Sequence, residues 1–289
     1  VEALREAALG EVDRLRGQPP TEEEATRAKN RIESLYIRRL QRVGGFGGRA
    51  DMLNHFNVLA GDPVLLNSDL DRFLAVTSED IHFGARAILG NRRVELAVLP
   101  ERSLAASPSG VDRSVMPQPS TSPSFSPPMP QRASLPNGLD IVVVEKRDLP
   151  IVAFGLLVRG GATTDPLERP GLAYLTAEML SEGTETRSSQ QIAAEFEFLG
   201  TQLATNPRRE HVVLATESLV QHWPRALELV ADLARHPTVP EQELARVLTE
   251  HVTDLRRVQD DPAALANRVA PMLLYGRTTQ YGHPLQGTE

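Results

Sequence analysis

Apolar residues recur at helical spacing from the first turn of the chain. Over Glu2 to about Gly17 the positions Leu4, Ala8, Val12 and Leu15 fall on one face, with charged residues between them. PPTEEEATRAKNRIESLYIRRLQ carries the period on through Ile32, Leu35, Tyr36 and Leu40. Thr21 followed by three acids predicts an N-cap and a first turn suited to the helix dipole. GGFGG at 44–48 interrupts the pattern, RADMLNHFNVLAGDP resumes it, and the spacing predicts another short helix over Leu65–Leu74. VTSEDIHFGARAIL predicts one more, capped by Thr77 or Ser78, and Val94 to Leu99 then read as a strand.

A second patterned stretch begins near Arg132. Leu139 to Glu145 and Ile151 to Arg159 are apolar and rich in β-branched residues, which predicts two strands joined through the polar RDLP. GLAYLTAEMLSEGT predicts a helix that opens after Pro170 and closes before a Gly-Thr turn, and Ser188 to Leu199 predicts a second. LGTQLATNPRREHVVLATES is a hairpin candidate, with strands at 201–206 and 210–218 around Asn206-Pro207. Helices are expected at about 221–235, 240–259 and 261–274, the last two starting at Pro240-Glu241 and Asp261-Pro262. Strands and helices come in pairs rather than in regular alternation, which points to an α+β fold with an antiparallel sheet.

Between Ser103 and Arg132 the composition shifts sharply. SLAASPSGVDRSVMPQPSTSPSFSPPMPQ is dense in Pro and Ser and almost free of charge, so it offers little to bury and reads as a linker. A proline-rich recognition peptide is the less favoured alternative. The expected division is therefore 1–103, a linker at 104–131, and 132–289.

Length and composition narrow the function classes. The 289 residues are 40% hydrophobic with one Trp, enough for a core built mainly of Leu, Val and Ala. A net charge of -7 argues against nucleic acid as the main partner, because no basic stripe is present to neutralise phosphates. The absence of cysteine removes disulfide scaffolds, cysteine–zinc modules and cysteine nucleophiles. No apolar run approaches the roughly 20 residues of a membrane-spanning helix. The chain opens in amphipathic helix without Met and ends in GHPLQGTE, so an internal piece of a longer polypeptide is expected. Lys29 and Lys146 are the only lysines, a bias that hints at a GC-rich bacterial genome.

Few motifs carry chemistry. None of the seven histidines forms His-Glu-x-x-His or His-x-x-Glu-His, the spacings that set two imidazoles one helical turn apart, so each reads as a surface histidine. GGFGG follows a helix and lacks the Lys-Ser/Thr of a phosphate loop, and no Gly-x-Ser-x-Gly elbow supports a serine hydrolase. Tyr174 and Glu178 lie four residues apart and so share a helix face. Glu243 and Glu250, seven apart, share another and read by themselves as solvent-facing carboxylates.

The order of the segments resembles the pitrilysin/insulinase family of zinc metallopeptidases, the inverzincins. The stretches that carry the resemblance are LPNGLDIVVVEKRDLPIVAFGLLVRGGATTD, RPGLAYLTAEMLSEGT, LGTQLATN, HPTVPEQELARVLTEHVTDLRR, DDPAALANR and YGHPLQGTE, over about 132–289. Before the linker, PPTEEEATRAKNRI, LAGDPVLLNSDLDRFLAVTSEDIHFGARAIL and NRRVELAVLP look like the closing part of another module of that family. The resemblance implies the end of one module joined to the start of the next, as in tandem bacterial members. It implies antiparallel sheets with helices packed on one face, in two incomplete modules. Their unpaired strand edges predict poor solubility for the piece alone.

In active members the site helix reads Gly-Leu-Ala-His-x-x-Glu-His-Met. The resemblance places Tyr174 at the first His, Ala177 at the catalytic Glu and Glu178 at the second His. Glu250 matches the distal acidic ligand and Glu243 the supporting acid. Hydrolysis at such a site needs a metal that acidifies water and a carboxylate that takes its proton. A tyrosine, with a free pKa of about 10, is a poor zinc ligand, and an alanine cannot act as a base. No catalytic residue and no zinc are therefore expected in this chain, and zinc is expected in the parent protein if an upstream module is intact. A carboxylate site at Glu178 and Glu250, suited to Mg²⁺ or Ca²⁺, is a weaker third possibility.

The role implied is a non-catalytic half that closes a chamber and helps bind a peptide substrate. Its partner would be an upstream module of the same polypeptide or a homologous subunit. The alternative is a catalytically inactive structural or assembly subunit of the same family. The compartment is open, with a periplasmic or secreted home favoured only through the bacterial resemblance.

Overall fold

The computed structural model describes residues 2–90, 94 and 127–288. The expected strand beyond Val94, and the part of the Pro/Ser-rich stretch at 104–126, lie outside the described residues.

The N-terminal block is helical: α1 (Glu2–Gly17), α2 (Glu22–Gln41), α3 (Arg49–Ala60), α4 (Asp69–Ala75) and α5 (Ser78–Ile88). Two capping boxes set its helix starts. The Thr21 hydroxyl accepts from the Glu24 N–H at 3.2 Å while the Glu24 carboxylate accepts from the Thr21 N–H at 2.8 Å, and Thr77 and Asp80 repeat the arrangement at α5. The single helix expected over Leu65–Leu74 is instead a 3₁₀ turn, Pro63–Asn67, followed by α4. Asp62 caps the tight turn through the Val64 N–H at 2.9 Å, and Ser68, at φ -117°, leaves the helical track between the two. The Tyr36 hydroxyl donates to Leu66 O at 2.6 Å and ties α2 to this turn.

In the C-terminal block β1 (Gln131–Ser134) and β2 (Asp140–Val143) form a separate hairpin, turned at Gly138 with φ +85°. β1 had no counterpart in the sequence reading. The main sheet is antiparallel with order β3 (Ile151–Arg159), β5 (His211–Leu219), β4 (Ala204–Pro207). Asn206-Pro207 is not the turn of the second hairpin. Pro207 ends β4, an edge strand that tolerates a missing N–H, and the chain reverses over Arg208–Glu210, closed by Arg208 N–H to His211 O at 2.8 Å. The carbonyls of that turn accept from Gly160, Ala162 and Thr163, so it doubles as a clasp for the end of β3.

Five helices follow or flank the sheet: α6 (Leu172–Met179), α7 (Ser189–Phe198), α8 (Trp223–Arg235), α9 (Glu241–Gln259) and α10 (Pro262–Tyr275). Alternation along the strands decides which face they cover. Phe154 and Leu156 of β3, with Val212 and Leu214 of β5, point to the core made by Ile192 and Phe196 of α7 and Ala226, Leu229, Val230 and Leu233 of α8. The opposite face carries Ala153, Gly155 and Leu157 beside Val213, Ala215 and Glu217. This is the α+β arrangement that the strand and helix blocks predict. Among the described residues the outer edges of β3 and β4 pair with no strand, and no helix is long and apolar enough to cross a membrane.

Candidate site between helices α6 and α9

The start of α6 is fixed from outside the helix. Gly171 occupies the cap position at φ +96°, and a Cβ there would lie 2.7 Å from Gln286 O and from Gly287 Cα. Only glycine fits both the conformation and the space. With no side chain at the cap, the buried carboxylate of Asp165 takes its place, accepting from the N–H groups of Gly171 and Ala173, each at 2.8 Å. A carboxylate at this end also suits the helix dipole.

Tyr174, Ala177 and Glu178 follow within two turns. Ala177 is 1% exposed and belongs to the packed interior. Tyr174 lies against α9, its ring 5.2 Å from the His251 imidazole and tilted by 32°. His251 Nε2 is 2.8 Å from Gln286 O. A carbonyl only accepts, so that nitrogen carries the proton. Burial pushes the Glu178 carboxyl above the ordinary carboxylate range; His251 opposes the rise and Glu182 adds to it. Burial likewise raises Tyr174, helped by the charges of Glu178 and Asp254.

Glu250 pairs with Arg246, one helical turn earlier. Arg246 Nη1 donates to both Glu250 oxygens at 3.0 Å, its Nε donates to Glu243 Oε2 at 2.8 Å, and its Nη2 donates to Glu182. Ser189 Oγ donates to the other Glu243 oxygen at 3.2 Å. These bonds hold Glu243 below the ordinary carboxylate range, Arg246 being the main cause, and stabilise the charged guanidinium. Glu250 stays exposed on the helix surface and Glu243 is half-buried, and both are partners of Arg246.

The site residues predicted from sequence therefore separate into two groups. Tyr174 meets His251, with Glu178 one turn on along α6, whereas Glu243 and Glu250 meet Arg246, which also bonds Glu182. Among the described residues no three His, Asp or Glu side chains are grouped to hold a metal ion. A phenol is a poor zinc donor and a methyl group supplies none, which leaves Glu178 as the one group of the three able to ligate zinc. The residues present do not fit a catalytic zinc ion. His251, expected as a surface histidine, instead packs on Tyr174 and bonds Gln286 O, and the sequence pattern gives no role to Asp165, Glu182 or Arg246. Only Arg246 left a trace there, at i+3 from Glu243 and i-4 from Glu250, the spacing of helical ion pairs.

The comparisons with known proteins bear on the same block. Residues 141–289 match the family model described as Insulinase (Peptidase family M16). This chain belongs to peptidase family M16. It is 27% identical over 161 residues to an uncharacterised zinc protease of Bacillus subtilis, covering 56% of this chain and 39% of that protein. It is 30% identical over 164 residues to the mitochondrial-processing peptidase subunit beta of Rattus norvegicus, covering 56% and 33%. The chain thus spans only 39% and 33% of these relatives' lengths. Among solved structures it is similar to a peptidase M16 inactive domain from Pseudomonas fluorescens, at 30% identity and TM-score 0.52, covering 55% of this chain and 39% of that one. The M16 match takes in α6, α9 and the 280–287 loop, the elements that make the site.

Proposed function

We propose that this chain contributes a non-catalytic half of an M16 zinc peptidase, closing the chamber and helping to hold a peptide, while the zinc chemistry belongs to a module or subunit outside it. In this reading residues 1–103 end one module, 104–131 link, and 132–289 begin a second. The observation that carries the reading is Ala177. At the place where the family motif has its proton-accepting glutamate, the chain has a methyl group packed into the interior. Tyr174, at the position of the first histidine, stacks on His251, and Glu178, at the second, is held above the ordinary carboxylate range by burial. The similarity to an M16 domain described as inactive supports the same view.

The test is made on the parent protein and on this chain side by side, by metal analysis and by cleavage of a fluorogenic peptide. The parent should contain zinc and cleave, and this chain should do neither. A parent that is metal-free and inactive sinks the peptidase reading. That outcome would favour a structural or assembly subunit, a second reading supported by the internal engagement of Arg246, Glu182 and His251.

A further inference from the structure

Helix α2 has two faces of different chemistry. Tyr36 looks toward the neighbouring helices of its own block, whereas a polar stripe of Asn30, Ser34 and Arg38 at i, i+4 and i+8 lies on the C-terminal block. Asn30 Nδ2 donates to Phe198 O at 2.7 Å, and Arg38 Nη2 donates to Gly200 O at 2.5 Å and to Ser34 Oγ at 2.7 Å. Arg38 Nε lies 3.3 Å from Glu217 Oε1, and Gln41 and Glu33 extend the contact to Glu217 and Gln221. Arg27 and Arg31 flank Glu197 at 3.6 and 3.8 Å. The fit is close at one point: Gly200 has φ +65°, a Cβ there would lie 2.5 Å from Asn30 O, and Ser34 is 1% exposed.

The α2 side of this contact consists of polar bonds and part-exposed ion pairs. Contacts of that kind favour movement between the parts they join, and part-exposed ion pairs weaken as salt screens them. We propose that the Glu197–Gly200–Glu217 surface is a docking site for the arginine-bearing stripe of α2, and that the dock is reversible and controlled by ionic strength. Its occupant is α2 of the same chain, reached across the segment between residues 90 and 127. The proposal does not depend on the peptidase reading and is tested without an activity assay.

The chain contains no cysteine, so a spin-label pair can be placed at Glu79→Cys and Thr253→Cys, both exposed positions. At about 20 mM salt pulsed electron resonance should give one narrow distance, and at about 0.5 M salt a broad and longer distribution. Arg38→Glu should broaden it even at low salt, and Arg38→Glu with Glu217→Arg should restore the narrow distance. A broad distribution in the otherwise unmodified chain at low salt overturns the dock. A narrow one that survives both about 0.5 M salt and Arg38→Glu overturns its ionic control. Because the salt series uses native Arg38, misfolding of the variants cannot mask the result.

Discussion

The imidazole of His251 sits between the ring of Tyr174, 5.2 Å away, and the carbonyl of Gln286, to which it donates at 2.8 Å. One side chain of α9 therefore holds both α6 and the 280–287 loop. His251→Ala removes a ring contact and a hydrogen bond and should cost about 1–2 kcal/mol in urea unfolding. Amide exchange near Gln286 should quicken. His251→Phe keeps the ring contact alone and should recover part of the stability without slowing that exchange.

Glu178 supplies a pH test. Its folded pKa is raised above the ordinary 4.5, so between those two values the folded chain holds more protons than the unfolded one. The stability it contributes is therefore greatest below its unfolded pKa and falls as pH rises through its folded pKa. Glu178→Gln should leave the melting temperature at pH 4 nearly unchanged and raise it at pH 7. A decrease at pH 7 would show that the His251 attraction outweighs burial.

Ala177 tests whether the site helix can simply be repaired. Ala177→Glu puts a carboxyl where the native side chain is 1% exposed. The expected loss is at least about 3 kcal/mol, read in urea unfolding, with no gain of peptide cleavage. A stable Ala177→Glu would mean that the position opens into the cleft.

Arg246 should behave as a counter-ion rather than a core residue. Arg246→Gln leaves Glu182, Glu243 and Glu250 facing one another unneutralised. Melting temperature should fall modestly at low salt, and the deficit should shrink as salt rises. A deficit independent of salt would assign the arginine to packing instead.

The core is the reference against which these surface effects are scaled. Leu229 is 1% exposed among Ile192, Phe196, Leu214 and Leu233. Leu229→Ala should cost about 2–5 kcal/mol in urea unfolding. A loss below about 1 kcal/mol would show that this cluster does not carry the fold.

What could be read from the residues alone was whatever depends on neighbours in the chain. Thr21, Thr77 and Ser188 mark helix starts because a capping box closes within four residues. The apolar run Ile151–Arg159, bounded by Pro150 and Gly160, matches the ends of β3 for the same reason. The turn near Pro207 was misplaced because its position depends on the Gly160–Thr163 segment, which accepts no local rule. Asp165 was invisible as a cap, since it reaches α6 across a loop rather than from the adjoining residue. At the site, the four-residue spacing puts Tyr174 and Glu178 on one helix face, and the resemblance to a family motif adds Ala177. The contact of Tyr174 with His251, and of Glu182 with Arg246, depends on the packing of α6 and the turn after it on α9, which periodicity cannot supply.

The Asp165 cap has a consequence for the order of folding. Gln280 donates to the Asp165 main-chain carbonyl across 115 residues, and the backbone around Gly287 fills the space beside Gly171. The first turn of α6 is thus completed by residues that leave the ribosome long after it. Contacts so distant in sequence form slowly, because a long loop must close before they contribute. Until then the first turn of α6 lacks the backbone that packs beside Gly171 and the Gln280 bond to Asp165.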